Sequence, residues 1–323
     1  MLKLSQTLNG GISLNYNKVF TMPTKLSLFG LNFMSAIAPR RAIGSVLHVS
    51  WILTLLCTVS FVHAQTNELI ISGAIYEDVN GDSVLDDGLP SLNVRVRVYV
   101  DSNGDGILNT GDSHAADVVT DNSGQYSVLV SRGSTGTRYF VAVDSRSITP
   151  TAGFNVGFGP GDVWAEQTYG DDWLSATLDL GPRFGGRGNE MSGQANTSDQ
   201  YRTATTFTNN PYRHLAFVDL SNGNVSNLDW GFSFNAVTNA RAGASTDHDT
   251  SANRTVQGSL RQFMQNANAI AGPNSMRFVP TVSGLVGNAW RVDVTHPLPV
   301  LSDPGTAIDG TAYNATDGVS VRD

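Results

Sequence analysis

The chain has 323 residues, which is enough for two domains of ordinary size. Charged residues make up only 15% of it, glycine contributes 33 residues, and 40% of the residues are hydrophobic. This composition excludes a disordered chain, because so large a hydrophobic fraction can build a core. It favours turn-rich β structure over a helical bundle.

Charge divides sharply along the chain. Residues 1–64 contain five basic residues and no acid, whereas residues 65–323 contain 15 arginines, no lysine and 28 acidic residues, a net charge of −13. A body this acidic should repel nucleic acid and attract divalent cations, so we expect no nucleic-acid partner. The single cysteine, Cys57, lies in the basic part, so residues 65–323 contain no disulfide.

The basic N-terminal part has the pattern of a secretory leader. Two arginines at 40–41 precede the apolar run 46–62, which ends close to the small residue Ala64. We expect a signal peptide cleaved after Ala64, a secreted or cell-surface mature chain, and no membrane span within it. A retained membrane anchor or a twin-arginine signal stays an alternative. Translation from Met34 instead of Met1 would leave an ordinary signal peptide.

Short strands separated by turns fill residues 69–144. The predicted strands are 69–76, 93–100, the two arms of 117–130 and 138–144. Valines at 94, 96, 98 and 100 share one face of the second strand, as expected where one face is buried. Strands of this length and spacing predict a β-sandwich over residues 65–237.

The rest of the sandwich region is less regular. Residues 145–213 are rich in glycine, aromatic and polar residues, and we interpret them as a long insertion or a set of loops. Strand character resumes at 214–220 and 227–237, and the polar, small-residue stretch 238–255 predicts a linker.

Residues 256–323 have a different pattern. Residues 258–274 predict a helix that Ser259 can cap, with Leu260, Phe263, Ala267 and Ile270 near one face. Short strands follow, separated by glycine, proline and aspartate. The chain stops within a strand-like pattern, so we expect it to be the N-terminal part of a longer protein or a truncated product.

The stretch DSNGDGILNTGD, residues 101–112, has the spacing of a calcium loop. Side-chain oxygens fall at positions 1, 3, 5, 9 and 12, a main-chain carbonyl at position 7 and a glycine at the sharp turn. The predicted ligands are Asp101, Asn103, Asp105, the Ile107 carbonyl, Asn109 and Asp112. Strands flank this loop, so a helix-opening sensor is excluded. The alternative is a polar hairpin turn.

A second acidic stretch, residues 78–87, has a less regular version of this spacing. Its predicted ligands are Asp78, Asn80, Asp82, the Val84 carbonyl, Asp86 and Asp87. Ser83 replaces the turn glycine, and Leu89 occupies the twelfth position. The alternative is a solvated acidic turn.

These motifs together carry a family resemblance. The order of strand, acidic loop, valine-rich strand and T-D-x-x-G-x-Y turn over residues 66–144 resembles the B-type domains of serine-aspartate-repeat surface adhesins, and NLDWGFSF resembles their closing strand. The resemblance implies a prealbumin-like sandwich, related to collagen-adhesin B-type domains, in which Asp78, Asn80, Asp82 and Asp86 bind calcium. Residues 145–213 exceed the usual length. No lysine remains for the isopeptide bond of some relatives.

A second resemblance covers residues 256–323. The segment G-S-L-R-Q-x-x-x-x-A-N with the strands after it is similar to the start of right-handed parallel β-helix regions in large bacterial surface proteins. There the helix caps the first coils, because a bare β-helix end exposes strand edges. The resemblance implies an all-β fold class: a sandwich, a capping helix and the first coils of a β-helix.

Six residues in GDVWAEQTYGDDW combine aromatic rings with carboxylates, namely Trp164, Glu166, Tyr169, Asp171, Asp172 and Trp173. Such a cluster could bind sugar or act as acid and base. The interpretation that we favour has the rings packing on the sandwich and the acids facing water. The sequence has no HExxH, GxSxG or paired CxxC motif, and its four histidines after residue 64 lack metal-ligand spacing.

The sequence therefore predicts a non-enzymatic structural or adhesive protein with a calcium-stabilised spacer domain. Its partner would be an extracellular protein or polysaccharide, of a kind that the sequence does not identify. The alternative is the N-terminal part of a secreted β-helix enzyme that acts on polysaccharides with carboxylates beyond residue 323.

Overall fold

Strands dominate the fold, as the composition predicts. The computed structural model describes residues 68–87, 89–131, 137–187, 212–239, 254, 256–282, 285–286, 289–290, 292, 294, 297–315 and 320–322. These residues belong to the unit Gln65–Asp323. The predicted leader and most of the predicted linker lie outside the described residues.

The described residues form sixteen strands and one α-helix. In chain order these are β1 (Glu68–Glu77), β2 (Leu89–Pro90), β3 (Arg95–Val100), β4 (Ser113–Val119), β5 (Gln125–Ser131), β6 (Arg138–Val143), β7 (Glu166–Asp171), β8 (Leu180–Pro182), β9 (Leu215–Asp219), β10 (Trp230–Ser233), β11 (Ala236–Asn239), α1 (Leu260–Ala269), β12 (Arg277–Val282), β13 (Leu285–Val286), β14 (Ala289–Trp290), β15 (Ala312–Tyr313) and β16 (Ser320–Arg322).

Two sheets are built from the first ten strands. The larger has the order β2-β1-β10-β7-β8, with β5 also paired to β1, and the smaller has the order β4-β3-β6-β9. All pairs in the smaller sheet are antiparallel, whereas β1 and β10 run parallel, with Ile75 opposite Trp230.

One buried cluster joins these two sheets. Ile71 and Ile75 of β1 and Trp230 of β10 share it with Val96 and Val98 of β3. The alternating valines place Val94, just before β3, and Val96 and Val98 inside, as the sequence predicts. The opposite face of β3, with Arg97 and Tyr99, is buried as well. Burial of these apolar side chains on facing sheets is the main stabilising term for this part of the chain.

The segment 145–187 is more ordered than the insertion or loops expected from the sequence. It supplies β7, which lies between β10 and β8 in the larger sheet, and β8 itself. Polar side chains of β7 are buried because other segments hydrogen-bond to them, and sequence pattern alone does not reveal such long-range partners. Residues 188–211 of the predicted insertion lie outside the described residues.

The helix forms where the sequence predicts it. Ser259 accepts a hydrogen bond from the Gln262 N–H at 3.1 Å and caps α1. Phe263 and Ala267 are buried against Val237 and Phe278, beside a third sheet of order β11-β12-β15-β16. In this sheet β12 pairs in parallel with both β11 and β15.

The fold is therefore mostly β, with three sheets of four or more strands, a small β13–β14 hairpin and one short helix among the described residues. No closed or solenoid sheet occurs in that part of the chain. Within the same part, no helix has the length and apolar character needed to cross a membrane.

Candidate functional site

Each of the two acidic stretches forms a loop between two paired strands. The first loop, residues 78–87, follows β1, and the second loop, residues 101–112, joins β3 to β4. Each begins with an aspartate that the protein buries: Asp78 is 0% exposed and Asp101 is 1% exposed. An ionised carboxylate is costly to bury without a partner, so these two positions define the candidate site.

The second loop is wound around its own carboxylates. Asp101 accepts hydrogen bonds from the N–H groups of Gly104 at 2.9 Å and Gly106 at 3.3 Å. Asn103 Oδ1 accepts from the Asp105 N–H at 3.1 Å, and Asp105 Oδ1 accepts from the Ile107 N–H at 2.8 Å. Alternate side chains thus point their oxygens into the turn that they enclose.

The first loop repeats this winding. Asp78 accepts from the N–H groups of Asp82 at 3.1 Å and Ser83 at 2.8 Å. Asn80 Oδ1 accepts from the Asp82 N–H at 2.9 Å, and Asp82 Oδ1 accepts from the Val84 N–H at 2.8 Å. The first, third and fifth residues therefore have equivalent roles in the two loops.

Left-handed backbone occurs at equivalent positions in both loops. The fourth residues, Gly81 and Gly104, have φ angles of +69° and +73°, and the sixth residues, Ser83 and Gly106, have +68° and +69°. Ser83 thus adopts the conformation of the turn glycine that it replaces, despite the steric cost of its Cβ.

A late aspartate closes each loop onto its second residue. Asp112 accepts from the Ser102 N–H at 3.0 Å and also from the Asn109 N–H. Asp87 accepts from the Val79 N–H at 2.7 Å. The closure makes each loop a compact ring with carboxylates at both ends.

A leucine anchors the second loop to the protein. Leu108, its eighth residue, is fully buried in a cluster with Tyr99 and Phe217 on the smaller sheet. Leu85 is the eighth residue of the first loop and packs at Gly231, where a Cβ would meet its Cδ2 at 2.8 Å. Both loops therefore follow the pattern D-x-N-G-D-x-[VI]-L, an internal repeat that a direct comparison of the two stretches in the sequence reveals.

The loop carboxylates have no cationic partner in the part of the chain that the structure describes. None of the loop aspartates there forms an ion pair with arginine or histidine. Burial raises the pKa of Asp78, with Asp82 adding repulsion, and burial raises the pKa of Asp112, with Asp101 and Asp105 adding repulsion. A cation would relieve both effects.

The loops contain the types of ligand that a hard cation prefers, but their side chains are not yet arranged around one point. Carboxylate, carboxamide and main-chain oxygens are the ligands that calcium takes. Within the described part of the chain, however, no three histidine, cysteine, aspartate or glutamate side chains converge as a metal-holding group. Asn103 and Asn109 instead donate to Asp105 through their Nδ2 atoms, so binding an ion would require these amides to turn. Asp86 is exposed.

The aromatic and acidic cluster at 164–173 differs from expectation. Glu166 and Asp171 are buried instead of facing water. Glu166 Oε2 accepts from Arg213 Nη2 at 2.7 Å, and Asp171 accepts three backbone N–H bonds, from residues 173, 179 and 217. Burial nevertheless raises the pKa of Asp171 to about 6. These carboxylates have structural partners.

A buried polar assembly near this cluster was not predicted from the sequence. His214 is fully buried; its Nδ1 lies 2.8 Å from Gln167 Oε1, and its Nε2 lies 2.9 Å from Gln257 Nε2. Both ring nitrogens of His214 therefore have a polar partner inside the fold. Because the three residues are far apart in sequence, no local signal could have revealed this assembly.

The chain was also compared with known families. No protein-family model matches it.

Proposed function

We propose that the chain is a non-enzymatic structural or adhesive protein, secreted or displayed at a cell surface, in which calcium stiffens a β-sandwich spacer. The proposal includes the finer fold expectations: a prealbumin-like arrangement of the first ten strands, and α1 with β11, β12 and β15 as the beginning of a parallel β-helix. Secretion follows from the leader pattern in residues 1–64.

The repeated loop is the observation that carries this proposal. Two stretches of one chain follow the same pattern, wind in the same way and each bury a first aspartate that has no cationic partner among the described residues. A polar turn has no need of a buried, unneutralised carboxylate, whereas a calcium loop uses it as a ligand.

The position of the loops explains what an ion would do. The second loop joins β3 to β4, and the first loop lies between β1 and β2. Three negative charges, on Asp101, Asp105 and Asp112, repel one another within the second loop. An ion that cancels this repulsion would hold neighbouring strand ends together and make the domain rigid along its length.

Calorimetry of the full chain tests the proposal. At a calcium concentration about 100 times Kd, one site adds about 2.7 kcal/mol of stability, so the melting temperature should rise by about 5–10 °C for each occupied site relative to chelator. The variant Asp101→Asn keeps the shape of the side chain and one of its two backbone acceptor contacts but removes its charge. It should lose roughly half of the calcium-dependent rise if both loops bind, because one of two sites remains.

The matched control is Asp309→Asn. Asp309 is exposed and accepts a hydrogen bond from the Thr311 N–H at 2.9 Å, so it resembles the loop aspartates locally but lies outside both loops. This variant should keep the full calcium response. An unchanged wild-type melting temperature at millimolar calcium would refute the calcium proposal.

A further inference from the structure

A polar cleft lies on the larger sheet, away from the ten residues of the first loop. It has a volume of about 330 Å³, and its floor is the outward face of the strand pair β1–β5. Gln125 and Ser127 point outward from β5, alternating with the buried residues Tyr126 and Val128. The wall of the cleft is the segment 227–229.

The wall is fixed to the floor. Leu228 donates its N–H to the Ser72 carbonyl at 3.0 Å, and its own carbonyl accepts from Tyr126 Oη at 2.7 Å. Gly73 permits this close approach, because a Cβ there would lie 1.9 Å from the Leu228 carbonyl oxygen. The cleft is therefore preformed, which lowers the entropic cost of binding.

Carboxylate acceptors and carboxamide donors line this cleft together. Asp229 Oδ1 accepts from the Ala74 N–H at 2.8 Å, which orients the carboxylate at the cleft wall. Asp121 is exposed, and its Oδ1 accepts a hydrogen bond from the Ser123 N–H at 2.7 Å. Gln125 and Asn227 add carboxamides, each of which both donates and accepts.

The lining restricts the chemistry of a ligand. Among the described residues, two aspartates and no basic residue line the cleft, which excludes an anion. The cleft is far larger than a metal ion needs, and its mostly polar surface does not suit an apolar ligand. A simple alkylammonium ion would satisfy Asp121 and Asp229 but would offer no acceptors to the amide groups of Gln125 and Asn227.

A sugar can form hydrogen bonds with all of these polar groups at once. Its hydroxyls donate to carboxylates and accept from amides, and its C–H face can pack on the ring of Tyr76, which also lines the cleft. We propose that this cleft binds a saccharide of one or two residues. The site goes beyond the spacer role and does not depend on calcium, so the two proposals can fail separately.

Titration calorimetry of the full chain tests the site. The probes are glucose, galactose, mannose, N-acetylglucosamine and their disaccharides, with calcium and with chelator. At least one should bind with a Kd of about 1 mM or lower in both conditions. Asp229→Asn and Gln125→Ala should each weaken that binding by about tenfold, because the first replaces a charged acceptor with a neutral amide and the second removes a carboxamide that bonds to the sugar.

Leu129→Gln is the control. Leu129 is exposed on the outward face of β5, next in the alternation after Ser127, but does not line the cleft. This variant should bind as the wild type does. Gln125→Ala changes an exposed side chain and leaves folding intact, so a loss of binding in that variant reports on the cleft.

Three outcomes would overturn the proposal. The first is that no probe binds. The second is that a sugar binds equally well to the wild type and to both cleft variants. The third is that N-acetyl-arginine amide binds in a way that depends on Asp229 while no sugar does, which would make the cleft a cation site. Sugar binding that is lost in both cleft variants and kept in Leu129→Gln supports it.

Discussion

The ion pair of Glu166 and Arg213 is the shortest and most buried ion pair that the described residues show. Its two charged atoms lie 2.7 Å apart, and the side chains are only 1% and 8% exposed. Thr238 Oγ1 also donates to Glu166 Oε2 at 2.9 Å, so the carboxylate has one partner just before β9 and another on β11. The pair thus connects the larger sheet, through β7, to the beginning of the third sheet.

We predict that Glu166→Gln destabilises the protein strongly. The substitution removes the negative charge that Glu166 presents to the buried guanidinium of Arg213, and breaking one partner of a buried pair costs about 3–5 kcal/mol. Chemical denaturation of the full chain would measure this loss as a lower midpoint with an unchanged slope.

Asp179→Asn provides the matched comparison. Asp179 pairs with Arg183 at 3.1 Å, but its side chain is 67% exposed. Water screens this pair, so its removal should cost no more than about 1 kcal/mol. Equal losses in the two variants would contradict the view that burial makes the Glu166 pair important.

The helix α1 depends on its start more than on its intrinsic propensity. It has ten residues, a length at which an isolated helix is marginal in water. Gly258, just before the cap, has a φ angle of +71°, and a Cβ there would lie 2.2 Å from Glu166 Oε2. Glycine at this position lets the helix start against the buried ion pair.

We predict that Ser259→Ala lowers the free energy of unfolding by about 0.5–2 kcal/mol. The change removes the hydroxyl that accepts the Gln262 N–H, and because Ser259 is buried, water cannot replace it. Thermal unfolding would measure the loss. Ser226→Ala, at an exposed position, is the control and should change stability by less than about 0.5 kcal/mol. A Ser259 variant as stable as the control would mean that packing alone fixes the helix start.

The sequence correctly predicts β3, in which valines recur at every second position. Val96 and Val98 of this strand are buried, and so are Arg97 and Tyr99 on its opposite face, so β3 is covered on both sides. The helix is predictable for the equivalent reason, because its apolar spacing and its cap are both local features. Local pattern is sufficient wherever one face of an element meets a hydrophobic core.

The strand β7 could not be predicted in this way. Its residues Glu166, Gln167 and Thr168 are polar yet buried, so they show neither alternation nor hydrophobicity. Their partners, Arg213 and His214, each lie 47 residues away in sequence. Tertiary contacts override local preference here, and a single sequence does not display them.

The candidate loops also combine features that the sequence predicts with features that it does not. The spacing of Asp101, Asn103 and Asp105 predicts the positions of the oxygens, because spacing is a property of the sequence. It does not reveal that Asp101 is buried with no cationic partner among the described residues, or that Asn103 donates to Asp105. Those features depend on how the loop packs and on the orientation of individual amides.

Across the whole molecule, buried carboxylates that no described cation neutralises should determine how stability depends on pH. Burial raises the pKa of Glu77, Asp78, Asp112 and Asp171, in the last case to about 6. An acid with a higher pKa in the folded state binds its proton more tightly there, so its contribution to stability is lost as pH rises through the folded pKa. A tenfold difference in proton affinity between the folded and unfolded states corresponds to about 1.4 kcal/mol.

We therefore predict that the calcium-free protein is more stable at about pH 5 than at pH 7, and that calcium reduces or reverses this difference. A bound ion favours the charged forms of Asp78 and Asp112, whereas Asp171 lies outside both loops and titrates in either condition. Urea denaturation midpoints at the two pH values, with calcium and with chelator, would measure both effects. The variant Asp171→Asn should remove the share of the calcium-independent acid stabilisation that Asp171 contributes and leave the calcium-dependent part unchanged. If the wild type shows the same pH dependence with and without calcium, then neither loop binds the ion in the folded protein. In that case protons alone neutralise Asp78 and Asp112.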